Sequence, residues 1–206
     1  MRMAFVLIFD QIESRRRSDG VGEAIADLGW ISTLLPFTRT TVDEFQGLLE
    51  EPLSVVTAML ALMRTSSWHI GLGIGAVATP LPADSRSARG PAFLAAREAV
   101  ERAKREGSHV SIVAAPPAEE AGHDAEVVLR LVAALWEKRS PQGWDAVDLV
   151  RQGLSMTEAA ERLQISRQAV GQRLQAAQWT GERDATPLVA RLLGRADVIA
   201  GAEAGP

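Results

Sequence analysis

Residues 3–9, MAFVLIF, are apolar without a break and stop at Asp10. Such a run predicts a central, buried strand that delivers a carboxylate at its C-terminal end. A polar stretch, 11–20, follows, then a short helix over 21–28. Residues 34–40 and 44–49 read as two strands joined through Thr41, Val42 and Asp43 as a hairpin. The segment 52–63, PLSVVTAMLALM, opens on proline and is apolar almost all round, which predicts a buried helix. Residues 68–77, WHIGLGIGAV, read as a strand whose alternating Gly71, Gly73 and Gly75 leave one face bare for a helix or ligand. After a loop over 79–89, Gly90-Pro91 opens a helix that runs to Gly107, with Phe93, Ala96, Val100 and Ala103 inward. A last short strand fills 110–114.

Pro116-Pro117 and the acidic segment 119–126 then mark a boundary, and Val128, Leu131, Val132 and Leu135 stripe a connecting helix. Ser140-Pro141 is a cap followed by a first-turn proline, opening a helix with Trp144, Val147 and Val150 on its packing side. Thr186-Pro187 opens a final helix that Gly194 ends, and the tail is expected to be disordered. The fold class expected is α+β. It comprises a ferredoxin-like α/β sandwich over 1–116, with helices on one face of a mainly antiparallel sheet. A linker helix over 117–139, an all-α domain over 140–200 and a tail over 201–206 complete the chain.

The clearest chemistry lies between residues 145 and 179. Ser155 followed by Glu158 has the form of a capping box, and Ala159, Ala160 and Leu163 give the helix behind it a narrow apolar face. Gln164, Ile165 and Ser166 form a turn, with Gln164 where a left-handed glycine is usual. Ser166 caps a second helix that buries Ala169, Val170, Leu174 and Ala177. Its other side offers Arg167, Gln168, Gln172 and Arg173, side chains suited to base edges and phosphates in a major groove. This is a helix-turn-helix pattern, and double-stranded DNA is the partner it implies. Arg167, Gln168 and Gln172 are expected at base edges; Ser155, Ser166, Arg173 and Gln175 complete the DNA-binding set. A single such unit reads a half-site, so a homodimer is expected.

Composition narrows the rest. Of 206 residues 47% are hydrophobic, enough for a substantial core, and the net charge of −4 argues against general coating of nucleic acid. From residue 151 to 178 the balance reverses, with Arg151, Arg162, Arg167 and Arg173 against Glu158 and Glu161. The chain has no cysteine, so disulfides and thiolate metal sites are excluded. No apolar run is long enough to span a bilayer and no secretory leader is evident, so a cytoplasmic protein is expected. His69 reads as a core or edge residue, and His109 and His123 stand at no metal-ligand spacing from it. The run Arg15-Arg16-Arg17 is a candidate phosphate contact, though loop charges are more often solvated.

The order of elements resembles the palm-like domain of class III nucleotide cyclases and GGDEF proteins. Asp10 stands where those families place a metal-binding carboxylate, and Val42-Asp43-Glu44-Phe45 sits at the hairpin that carries Gly-Asp-Glu-Phe. The resemblance implies Asp10, Asp43 and Glu44 as ligands of Mg2+ or Mn2+ with a purine nucleotide, and Ser14, Arg15 and Arg97 as nucleotide contacts. Two departures stand out: Val42 replaces the hairpin glycine, and Phe93 or Leu94 occupies the place of a cyclase asparagine. The catalytic set is incomplete, so an enzyme is not expected. The whole chain is similar to the SatD family of bacterial proteins. That resemblance rests on Asp10 with Ser14-Arg15, DEFQGLL from Asp43, IGLGIG from Ile70, GPAFLAAR from Gly90 and the helix-turn-helix. It implies a bacterial regulatory, DNA-binding protein and supplies no established reaction. The competing expectation is a metal-dependent purine-nucleotide-binding protein or enzyme of the cyclase type.

Overall fold

A computed structural model of the chain describes residues 1–14, 18–107 and 109–202. Its contacts divide into two compact units, one formed by Met1–Arg130 with the chain from Leu188, the other by Leu131–Pro187.

The first unit is built on β1 (Arg2–Gln11), the middle strand of a five-stranded sheet. β3 (Glu44–Leu49) lies antiparallel on one side of it and β4 (Trp68–Val77) antiparallel on the other. β2 (Leu35–Arg39) extends the β3 edge, and β5 (Val110–Ala114) joins β4 in parallel. The hairpin expected around residues 41–43 is thus present, with a register shift between Leu35 and Thr38. Phe5, Leu7 and Phe9 point into one core while Ala4, Val6 and Ile8 point into another. That double burial is why β1 is apolar without alternation.

Helices cover both faces, where one covered face was expected. α3 (Pro91–Glu106) lies on the face of Ala4, Val6 and Ile8 through Ala92, Ala96 and Val100. The opposite core takes in α1 (Val21–Asp27), α2 (Pro52–Met63), the first part of α4 (Glu119–Glu137) and the last part of α8 (Trp179–Ala202). The bare strip of Gly71 and Gly73 serves a helix. A Cβ on Gly73 would stand 2.1 Å from the Ala92 carbonyl oxygen and one on Gly71 would stand 2.4 Å from the Val100 nitrogen.

The boundaries expected at 116 and 139 are displaced. Glu119, Glu120 and Asp124 face solvent, but Ala118, Ala121, Ala125 and Leu129 are buried with the sheet, so the acidic segment is half of a core helix. Glu126 is buried too, bonded by Arg102, Arg130 and the Ile112 N–H. Likewise, α8 runs through Pro187 and Gly194, where a start and a stop were read. Val189, Leu193, Ala196 and Ala200 recur at helical spacing in the same core and outweigh the proline signal. Ala202 is still helical, and the remainder of the expected disordered tail, 203–206, lies outside the described residues.

The second unit holds the end of α4, then α5 (Pro141–Arg151), α6 (Met156–Leu163), α7 (Arg167–Ala176) and the start of α8. It is all helical, so the chain is α+β with a helical part.

Candidate functional site

In the second unit, local sequence fixes the turn between α6 and α7. Ser155 accepts the Glu158 N–H while the Glu158 carboxylate accepts the Ser155 N–H at 2.8 Å, a complete capping box. Gln164 is left-handed at φ 55, ψ 42, and the Ile165 N–H returns to the Ala160 carbonyl at 3.1 Å. For a residue other than glycine that conformation costs about 1–2 kcal/mol, and here the turn's hydrogen bond and the seating of Ile165 in the small core hold it. Ser166 caps α7 by accepting the Ala169 N–H. Ala159, Ala160 and Val170 close a small core with Leu149 of α5, Leu163, Ile165 and Leu174.

Opposite that core lies a polar stripe of α7. Arg167, Gln168, Gln172 and Gln175 are exposed and Arg173 is half-buried. Gly171 stands within the stripe, with nothing within 4 Å of the place its Cβ would take. Among the described residues none of these five side chains makes an ion pair or hydrogen bond, and neither does the exposed Arg162 of α6. The Ser155 and Ser166 hydroxyls, by contrast, are committed to their caps, and Ser155 also donates to Glu158 at 2.7 Å.

A buried network that the sequence did not reveal braces this unit. Arg139 donates to the carbonyl of Ala177, the residue that ends α7, and its Nη2 lies 2.6 Å from Glu182. Trp136 donates to the same Glu182 oxygen at 2.8 Å and Arg151 pairs with the other. Trp144 lies under the Arg139 guanidinium, 4.4 Å from its centroid. Trp179 is half-buried beside Arg151, while Trp30 of the first unit is 74% exposed and packs in no core.

In the first unit, a cavity of about 540 Å3 opens at the C-terminal end of β1, lined by Asp10, Ser14, Asp43, His69 and Lys104 among others. Asp10 and Glu44 are register partners and so share the face covered by α3, which sends a cation to each. Lys104 meets Asp10 at 2.7 Å. Arg97 holds both oxygens of Glu44, and Thr40 donates to one of them at 2.6 Å. Asp43 turns to hydroxyls, accepting from Ser14 at 2.7 Å and from Thr41 at 3.1 Å. The Ser14 bond holds the Asp43 carboxyl below its usual range, whereas burial raises that of Asp10 despite Lys104.

This donor set does not fit a hard divalent cation. A Mg2+ ion needs several oxygens in octahedral array. Arg97 already satisfies Glu44, and Lys104 occupies one oxygen of Asp10. No group of three or more metal-capable side chains is assembled among the described residues. Arg97, expected at a nucleotide, is paired with Glu44, while Arg15 lies outside the described residues. One pairing hidden by sequence separation does appear. His69 and His109, 40 residues apart, meet with their Nδ1 atoms 3.3 Å from each other.

No known family model and no curated protein matches the chain. One solved structure similar to it is a regulator of polyketide synthase expression from Bifidobacterium adolescentis. The two share 18% identity over 98% of this chain and 87% of the other, with a TM-score of 0.25. At that score the likeness carries nothing over to this chain's function. No helix among the described residues is long and apolar enough to cross a membrane.

Proposed function

We propose that the protein is a bacterial, cytoplasmic transcription regulator that reads DNA with α7 in the major groove, working as a homodimer. The observation that carries this reading is the α6–turn–α7 unit itself. Both caps and the left-handed turn are formed, and the stripe from Arg167 to Gln175 is exposed with its side chains unengaged. An ordinary helical hairpin would not need its outer face free of carboxylates, as the face of α7 is. Arg167, Gln168 and Gln172 take base edges in this reading, with Arg173, Gln175 and Arg162 on phosphates. Ser155 and Ser166 contribute by positioning helix N-termini, since their hydroxyls are taken up by the caps. Gly171 lets the helix backbone approach the groove floor. The motifs that resemble the SatD family support the same role.

The test is fluorescence anisotropy on the DNA upstream of the protein's own gene, with a scrambled duplex alongside. Each good base contact is worth about 1–3 kcal/mol. The Arg167→Ala, Gln172→Ala double variant should therefore lose roughly a hundredfold in affinity for the native fragment. It should keep its weak binding to the scrambled one. Equal affinity of the wild type for both duplexes would leave only electrostatic attraction and remove the assignment.

A further inference from the structure

The chain contains three histidines, and the fold makes a pair of two of them. His69 lies on β4 and His109 immediately precedes β5, its parallel neighbour. The His109 carbonyl accepts the Ile70 N–H at 2.8 Å, which fixes it to the ladder in a left-handed conformation at φ 57. The imidazole centroids are 5.0 Å apart, tilted by 42°.

Two imidazoles so placed can share one hydrogen bond between ring nitrogens. The same spacing is also the bite of a chelate. Nitrogens 3.3 Å apart, each about 2.05 Å from a zinc ion, subtend an angle of about 107°, close to tetrahedral. We propose that His69 and His109 bind a late first-row divalent cation, zinc foremost, through their Nδ1 atoms. Imidazole nitrogen selects zinc, nickel or copper over magnesium or manganese, so this site is distinct in its chemistry from the carboxylates at the hairpin.

The surroundings suit a ligand pair. Asp10 faces His69 across the β1/β4 register, and Glu101 lies close enough to act on the ring electrostatically. Their negative charge favours a cation there, and water completes the shell, since no third metal-capable side chain is assembled with the pair among the described residues. Lys104, bonded to both Asp10 and Glu101, opposes a second positive charge and limits the affinity. Two fixed nitrogens make a site of modest strength, one that loads and empties with metal supply rather than holding the fold together.

Isothermal titration of the untagged full chain with Zn2+, and the visible spectrum of its Co2+ form, test this independently of DNA. One ion per chain is expected, with the intense absorption of tetrahedral Co2+ and no competition from excess Mg2+. His69→Ala and His109→Ala should each weaken binding by at least the roughly tenfold that loss of an outer-shell partner already costs. His123→Ala, on the exposed side of α4, should bind as the wild type does. Absence of binding, binding unchanged in His109→Ala, or equal loss in His123→Ala would each overturn the site.

Discussion

His69 gives the fold an acid sensitivity with a definite sign. Its ring is half-buried, and burial together with His109 and Lys104 lowers its pKa from 6.5 to about 4, with Glu101 pulling the other way. The unfolded chain therefore binds this proton more readily than the folded one. Stability associated with His69 is complete above pH 6.5 and is lost as the pH falls through about 4. Asp10, the register partner of His69, works in the opposite sense. Burial raises its carboxyl, so its ionised form costs stability that acidification relieves. Urea unfolding across that pH range should show stability falling towards pH 4, and His69→Gln should flatten the fall. The same slope in the variant would place the sensitivity elsewhere. At this scale the sequence located Asp10, Asp43 and Glu44 at adjoining strand ends. It did not reveal that α3 would bring Lys104 and Arg97 onto two of them, because a helix turn and a strand end share no sequence signal for their distance.

At the scale of elements, the close seat of α3 on β4 sets what the strand can carry. A Cβ at Gly73 would stand 2.1 Å from the Ala92 carbonyl oxygen and 2.3 Å from the Ala96 nitrogen, backbone atoms that can yield only if α3 moves. At Gly75 the nearest atom is the Ala115 Cβ at 3.1 Å. Gly73→Ala should therefore lose at least the upper part of the about 1–3 kcal/mol range of overpacked cores, and Gly75→Ala clearly less. Urea denaturation of the two variants compares them directly, and equal losses would mean that the helix is not tightly seated. The alternating glycines announced this approach in the sequence, and the strands β3, β4 and β5 were legible for the same reason, since each is a short apolar run between turn residues. α4 and α8 were misread because acidic residues and a proline, which punctuate isolated helices, lie on or within helices held by tertiary burial of Ala125, Leu129, Val189 and Leu193.

For the whole molecule, the unevenness of charge matters more than its sum. The chain carries a net charge of −4, yet Arg162, Arg167 and Arg173 on α6 and α7 have no acidic partner among the described residues. Local signals were sufficient to read this unit because its caps and turn lie within a few residues of one another. Its Arg139–Glu182 brace spans 43 residues and was invisible. Only cations that reach phosphates release counterions, so the long-range repulsion of an acidic chain lowers affinity without changing the salt slope. Arg162 and Arg173, the two cations placed on phosphates, give a slope of log K against log salt of about −1.8, and two protomers on a repeated site give about −3.6. Anisotropy titrations over roughly 50–200 mM salt separate the two. The homodimer requires the steeper slope together with two chains per duplex. A slope near −1.8 with one chain bound would make the protein a monomeric reader of a single half-site. Arg173→Ala should reduce the dimer's slope by about 1.8, one phosphate on each half-site, while leaving the preference for the native sequence intact.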